Sequence, residues 1–257
     1  MVKIVTWNVN SIKARLPIVL NWLQDTLPDV VLLQEIKTME EGFPFLDLSS
    51  LGYQVAVSGQ KTYNGVAILS RNPIDVIVDR LPGDESDTQA RYIEAMTGGI
   101  RVASIYLPNG NPVDTDKFPY KLSWMERLLA RVKTVRAADD ATVFGGDYNV
   151  APNDTDVYAP VQWHNDALCR PESRGLFRRL LHTGLTDALN AAGNNAGTYT
   201  WWDYRGGAWQ RDHGLRIDHL LLTPQAADRF EAAGVDRSVR NLEKASDHAP
   251  VWCVLED

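Results

Sequence analysis

Apolar residues along this chain gather into short runs that end in polar or turn-forming residues. Nine runs carry the Val/Ile/Leu-rich signature of buried strands: 3–9, 29–34, 53–57, 66–70, 74–78, 100–107, 142–145, 217–223 and 250–255. Helical spacing appears elsewhere. Leu16, Val19, Leu20, Leu23 and Leu27 fall on one face, with Pro17 expected in the first turn. Met125, Leu128, Leu129 and Val132 repeat the pattern. A shorter helix is expected to start after Ser173, with Leu176, Leu180 and Leu181 turned inward. Strands outnumber helices and do not alternate with them one-to-one. That argues against a barrel of βα units and for packed sheets with helices outside. Pro/Gly/Asn-rich stretches at 81–89, 108–118 and 192–197 read as loops inside one domain spanning 1–257.

The polar residues of interest stand at the ends of the apolar runs. Trp7–Asn10 (WNVN) closes the first strand, and on an extended chain Asn8 and Asn10 face the same way. In LLQEIK a strand runs directly into Glu35, with Lys37 two residues on; a carboxylate there suits a hard divalent cation, and a solvated charge pair is the plainer alternative. Tyr106 leaves its strand into the loop LPNGNP, where its hydroxyl could meet an anionic oxygen or its ring could simply pack. VFGGDYNV ends an apolar run in two glycines, Asp147 and Asn149. The glycines let backbone pass close to a neighbour, and Asp147 and Asn149 offer a carboxylate and an amide to one point. Asp218 opens a late strand, and Asp247 and His248 precede the last, so a carboxylate–imidazole pair is available. The chain has no GxSxG elbow, no HExxH and no Cys/His cluster, which argues against a serine hydrolase and against zinc. Carboxylates, amides, one tyrosine and one histidine suit Mg²⁺ or Mn²⁺ and the metal-assisted hydrolysis of a phosphate ester.

Composition narrows the field further. At 257 residues, 44% hydrophobic and 23% charged, the chain can bury a large core without disulfides. No run approaches the ~20 apolar residues of a membrane span. The start, MVKIVTWNVN, lacks the apolar region of a secretory signal. Cys169 and Cys253 form no CxxC, so free thiols in a reducing cytoplasm are expected. Net charge is −7, whereas proteins that coat nucleic acid through their overall field are basic. A polyanion would have to be held locally.

Taken together, WNVNSIKAR, LLQEIK, IYLPNGNP, FPYKL, GGDYNVAP, TYTWWDYR, GLRIDHLLL and SDHAPV resemble, in order and over residues 2–255, the exonuclease III family of abasic-site DNA endonucleases. GDxN and SDH mark only the wider endonuclease/exonuclease/phosphatase superfamily; WWDYR and GLRID are more specific to the exonuclease III branch. The resemblance implies an α/β four-layered sandwich, two β-sheets packed face to face and flanked by helices. It implies a Mg²⁺-dependent (or Mn²⁺-dependent) phosphodiesterase that cuts duplex DNA 5′ to abasic sites, leaving a 3′-hydroxyl and a 5′-deoxyribose phosphate. Activity at blocked 3′ ends, as 3′-to-5′ exonuclease or 3′-phosphatase, is implied with it. Glu35 matches the principal metal ligand, with Asn8 beside it and Asp247 as a further carboxylate on the metal side. Asp147 matches the residue that aligns or deprotonates water, and Asn149 its phosphate-contacting neighbour. His248 matches the phosphate-binding histidine and Asp218 its orienter. Tyr106 and Asn109 match phosphate contacts, and Trp201 the wall of the sugar pocket, with Trp202 expected in the core. Leu215 stands where animal members have a second pocket tryptophan, Ile36 where others have threonine, and Asn10 where some have aspartate. Lys37, Lys121, Arg174 and Arg205 are expected to face the DNA. A monomer without membrane contact is expected. The rival readings are another phosphoesterase of the superfamily and a non-catalytic nucleic-acid binder on the same fold.

Overall fold

The computed structural model describes residues 1–193 and 197–257; part of the expected 192–197 loop therefore lies outside the described residues. Two six-stranded sheets form its centre. The first is ordered Phe230–Val235 (β13), Val251–Leu255 (β14), Val2–Asn8 (β1), Val30–Gln34 (β2), Val66–Ser70 (β4) and Gln54–Ser58 (β3). The second is ordered Ile74–Val78 (β5), Tyr92–Thr97 (β6), Ile100–Tyr106 (β7), Thr142–Asp147 (β8), Asp218–Leu222 (β12) and Thr186–Asp187 (β9). β1 and β2 are parallel, as are β7 and β8; the other pairs are antiparallel.

The two-residue period of the strands decides the layering. On β1, Ile4 points into the space between the sheets while Val5 and Trp7 point out; on β2, Val30 and Leu32 point in while Val31 and Leu33 point out. The inner faces meet in one core, with Val102, Val143 and Leu220 from the second sheet. The outer face of the first sheet is covered by Ile12–Thr26 (α1) and Phe45–Ser50 (α2). The outer face of the second is covered by Lys117–Arg136 (α3) and, beyond the short helix Pro160–Trp163 (α4), by Pro171–Leu181 (α5). The expected four-layered sandwich is therefore the fold. Among the described residues no helix is long and apolar enough to cross a membrane. Cys169 and Cys253 are both buried and free.

Several expectations need correction. Pro17 lies inside α1, not in its first turn, because Ser11 caps the helix and starts it at Ile12. Leu27 is the left-handed C-cap and is exposed, so it leaves the apolar face. α5 begins at Pro171, which suits a first-turn position, so Ser173 lies within the helix. β6 and β13 were not expected. Glu94 interrupts the apolar run of β6, and β13 (FEAAGV) has little strand propensity of its own. Both are strands because of their neighbours.

Candidate active site

The functional side chains gather at one end of the sandwich, where the parallel pairs end and the antiparallel strands begin. The register aligns Asn8 with Gln34, Tyr106 with Asp147, and Asp147 with Asp218. Asp147 reaches this edge because β8 packs without side chains at Gly145 and Gly146. A Cβ at Gly145 would stand 2.6 Å from Leu32 Cδ1, and one at Gly146 only 2.0 Å from the Ile105 carbonyl oxygen. The expected close backbone approach is thus a sheet-to-sheet and strand-to-strand contact. Beneath the site, Gln34 Nε2 donates to Ser104 Oγ at 3.0 Å, and Ser104 Oγ donates to the Leu33 carbonyl at 2.9 Å, fixing one sheet against the other.

Chain reversal here takes unusual backbone. Asn10, Ser11, Glu35, Lys37 and Asn149 all have positive φ, and none is glycine. Non-glycine residues in that region cost energy and cluster at functional sites. It also ends the extended run at Asn8, so Asn8 and Asn10 do different work. The Asn8 amide nitrogen donates to Glu35 Oε1 and to Asp147 Oδ2, each at 2.9 Å. Its carbonyl oxygen accepts from the Asn10 backbone N–H at 3.0 Å. Asn8 therefore bridges two carboxylates and has its oxygen already engaged. Asn10 instead donates to Asp247 Oδ1 at 3.0 Å and accepts from Lys37 Nζ.

His248 is the positive centre. Its Nδ1 lies 2.9 Å from Asp218 Oδ2, and its Nε2 lies 3.7 Å from Asp147 Oδ2. Burial pulls the imidazole pKa down, but Asp218 and Asp147 outweigh it and hold the ring above its ordinary value. Asp218 is fixed in turn by Thr200 Oγ1, which donates to it at 2.6 Å. Burial and the Asp218 charge raise the Asp147 carboxyl, against the pull of His248. Glu35 is also raised by burial, yet Lys37, 2.9 Å away, and Asn8 bring it below the ordinary carboxylate range. Burial, then the Glu35 charge, push the Tyr106 phenol well up, so it remains an O–H donor.

These groups face a cavity of about 310 Å³, lined by Glu35, Tyr106, Asn109, Asp147, Asn149, Asp247 and His248. Its other side is formed by Trp163, Leu168, Trp201, Arg205 and Ile217. Trp201 and Trp163 meet edge to face at 6.0 Å between ring centres. Trp202 is fully buried, as expected. Glu35, Asp147 and His248 each bring one ligand atom within 4.8 Å of the others. A set dominated by carboxylate oxygens fits a hard divalent cation. A protonated His248 has no lone pair to offer, which leaves Glu35 and Asp147 as its holders.

The structure relocates several other residues. Lys121 does not face solvent: it is fully buried, donating to backbone carbonyls. Leu215 is fully buried: it pairs with Trp201 in the ribbon of Trp201–Trp202 (β10) and Gly214–Leu215 (β11) and does not line the cavity. Arg174 does not line it either, because it is bonded to the Ala151 carbonyl and to Asp154. Asp247 lines the cavity but stands apart from the ligand cluster, with its two oxygens taken by Asn10 and by Trp201 Nε1 at 2.9 Å. Arg205 is at the rim, exposed and paired with Asp203. Ile36 packs in the core under α1 and α2. The Asn149 amide is engaged on both sides, donating to the Leu107 carbonyl and accepting from Asn109. Trp163, Asn111, Asp166 and Thr200 were not anticipated. A lone tryptophan in the polar segment VQWHND is the one signal that could have pointed to Trp163.

Similarity to known proteins runs along the whole of this framework. The sequence profile of the endonuclease/exonuclease/phosphatase family matches residues 5–248. Exodeoxyribonuclease III of Haemophilus influenzae is 33% identical over 97% of this chain and 98% of its own. The solved structure of an AP endonuclease from Archaeoglobus fulgidus superimposes with a TM-score of 0.96 at 38% identity, over 100% of both chains. A Neisseria 3′-phosphatase, solved with a product DNA hairpin, gives 0.96 at 43% identity, again over 100% of both. With the profile covering nearly all of its length and the fold reproduced end to end, the chain belongs to the endonuclease/exonuclease/phosphatase family.

Proposed function

We propose that this protein is a hydrolytic DNA-repair nuclease that cuts the phosphodiester 5′ to abasic sites in duplex DNA, leaving a 3′-hydroxyl and a 5′-deoxyribose phosphate. The same site would clear blocked 3′ ends as a 3′-phosphatase and 3′-to-5′ exonuclease. The enzyme class is supported by exodeoxyribonuclease and AP endonuclease relatives. One observation carries the chemistry: buried His248, its Nδ1 held by Asp218 and its Nε2 3.7 Å from Asp147 Oδ2, lines with Asp147 a cavity that Trp163 and Trp201 also line.

A phosphodiester is an anion, and an attacking hydroxide is repelled by it. His248 presents positive charge where negative charge develops on the non-bridging oxygens, and Tyr106 and Asn109 add donors on the same wall. Asp218 holds the ring so that Nε2 faces the cavity. Asp147, held by the Asn8 amide and the Asn149 N–H, aligns water and takes its proton. Asn149, locked to Leu107 and Asn109, sets the position of the Asp147 loop. Glu35 and Asp147 would hold Mg²⁺ or Mn²⁺, with Asn8 fixing their separation and Asp247 bracing the rim through Trp201 and Asn10. Such an ion would supply positive charge to offset the negative charge that develops in the reaction. Trp201 walls the pocket for a sugar that lacks its base, and Lys37 and Arg205 meet the flanking strand. A normal nucleotide would have to bring its base into the same space. We further propose that residues 1–257 work as one catalytic unit, as a monomer in the cytoplasm.

Purified protein given a duplex with one abasic analogue, an intact duplex, a 3′-recessed duplex and a 3′-phosphoryl end tests this directly. Incision at the abasic analogue and release of phosphate, both dependent on a divalent cation, is the expected result. Turnover in excess chelator would overturn the metal assignment. Equal cutting of intact and abasic duplex would overturn the selectivity.

A further inference from the structure

Lys121 is a lysine with no solvent exposure and, among the described residues, no ion-pair partner. Its Nζ donates to three backbone carbonyls: Asn109 at 3.1 Å, Asn149 at 2.6 Å and Ala167 at 3.1 Å. Those carbonyls belong to three loops far apart in sequence. The loop after β7 carries Asn109 and Asn111, the loop after β8 carries Asn149, and the segment between α4 and α5 carries Asp166 and Leu168; all five side chains line the cavity. Three acceptors match the three protons of an ammonium, and a neutral amine could serve only two of them as donor.

The surroundings fit a built mount. Gly110 has φ +89, and a Cβ there would stand 2.7 Å from Lys121 Cδ and 3.2 Å from Ala167 Cβ. The first loop therefore closes over the lysine stem only because residue 110 has no side chain. Asn111 adds a second tie, accepting from the Ala167 N–H and donating to Asp166. Burial pulls the Lys121 pKa down to about 7, opposed by Asp166 and Asp147. A charge kept in so costly a place needs a task, and an ordinary core position would be filled by an apolar side chain.

Resting on the nuclease reading above, we propose that Lys121 is a positioning residue for the reaction: from behind the cavity wall it ties the Asn109, Asn149 and Ala167 loops into one rigid frame and touches no DNA. Without it, the three loops keep their folds but lose their mutual placement, and Asn109 and Asn149 move relative to Asp147. Displacement of reacting groups by about 1 Å can cost about 100-fold in rate.

The test is Lys121→Met in the full-length protein, beside Gly110→Ala, which presses on the stem while leaving the charge. Both should lower kcat about 100-fold on the abasic duplex, with KM changed less than threefold. The salt dependence of DNA binding should stay as in wild type, whereas loss of a phosphate contact would reduce the slope by about one. Amide hydrogen exchange should quicken in 108–112, 148–151 and 166–169 and stay unchanged in β1 and β2. Lys121→Cys alkylated to aminoethylcysteine restores the ammonium and should recover most of kcat. A reduced salt slope, or slow exchange in all three segments, would overturn the proposal, and so would unchanged kcat in an active protein. An inactive wild type would instead reject the nuclease reading, while the exchange result would still decide the role of Lys121. If Lys121→Met does not fold, Gly110→Ala and the alkylated variant carry the same decision.

Discussion

Two of the buried charge clusters among the described residues are built on opposite rules. On the outer side of the second sheet, fully buried Glu94 of β6 accepts from Arg101 of β7, from Arg131 of α3 and from the hydroxyl of Tyr92. Arg101 also pairs with Asp140, so two carboxylates meet two guanidiniums. At the catalytic edge, Glu35 pairs with Lys37, and Asp147 and Asp218 share His248, with the Asp247 carboxylate beside them. The first cluster is balanced, and its partners bring Glu94 below the ordinary carboxylate range against the upward push of burial. The second is left in excess negative charge, with Asp147 raised. Balanced pairs hold a strand to a helix. An imbalance at a strand end costs stability, and it leaves the site ready to take a cation and a proton.

The two clusters should differ most in their effect on turnover. Asp147→Asn or His248→Asn should lower kcat by about 10³-fold or more while DNA binding changes little, because each acts on the transition state. The double variant should be far less damaging than the product of the two, since they work as a unit. Asp147→Asn should also melt no lower than wild type at pH 7. A carboxyl whose folded pKa is raised contributes stability below its unfolded value near 4 and loses it as pH rises, so the amide removes a penalty. A lower melting temperature would mean the site is not strained by charge. Removing divalent cation should abolish activity reversibly, and Glu35→Gln should raise the concentration needed for recovery, as read by a metal titration.

Glu94→Gln is the counterpart in the balanced cluster. It should cost about 3 kcal/mol in denaturant unfolding, the low end for breaking a buried pair, because both arginines retain some solvent contact. Activity per folded molecule should be unchanged; a fall in kcat would tie the cluster to the site. Trp201→Ala comes next, with a loss of about 1–3 kcal/mol in abasic-site incision, or roughly five- to 150-fold. Metal affinity should hold. Parallel loss of all activities with a lower melting temperature would make Trp201 a packing residue alone. The smallest effect is in the pH dependence of stability. Glu94, with its folded pKa lowered, contributes stability above its unfolded value of 4.5 that is lost as pH falls through the folded one. Glu94→Gln should flatten that acid limb, measured by melting temperature between pH 3 and 6.

Much of the frame was legible in the chain because the burial that organises it is periodic. Strands such as β1, β2 and β4 carry their own apolar signal, and the spacing of Met125, Leu128, Leu129 and Val132 announced α3. Glu35, Tyr106 and Asp147 stand at strand ends, where a side chain leaves the core with its direction already set by the sheet. β6 was hidden because the charge that interrupts it is neutralised by arginines 7 and 37 residues away. β13 was hidden because its small residues carry little signal of their own, and it is an edge strand placed by pairing with β14 and by core packing of Ala233.

Local spacing in the chain was enough for the apolar runs and helical faces that make packed sheets with helices outside, for the glycines that let β8 approach its neighbours, and for the order in which the site residues arrive at strand ends. What each polar group does there depends on the partners that folding brings to it. Asn8 became a bridge because Asp147, 139 residues on, ends its strand beside it. Asp247 is drawn aside because Trp201 and Asn10 claim its oxygens. Leu215 and Arg174 turned away from the cavity, and Lys121 went under its wall to three carbonyls. Burial of apolar side chains is set by local spacing, whereas a polar side chain takes its role from whichever partner the folded chain brings within about 3 Å.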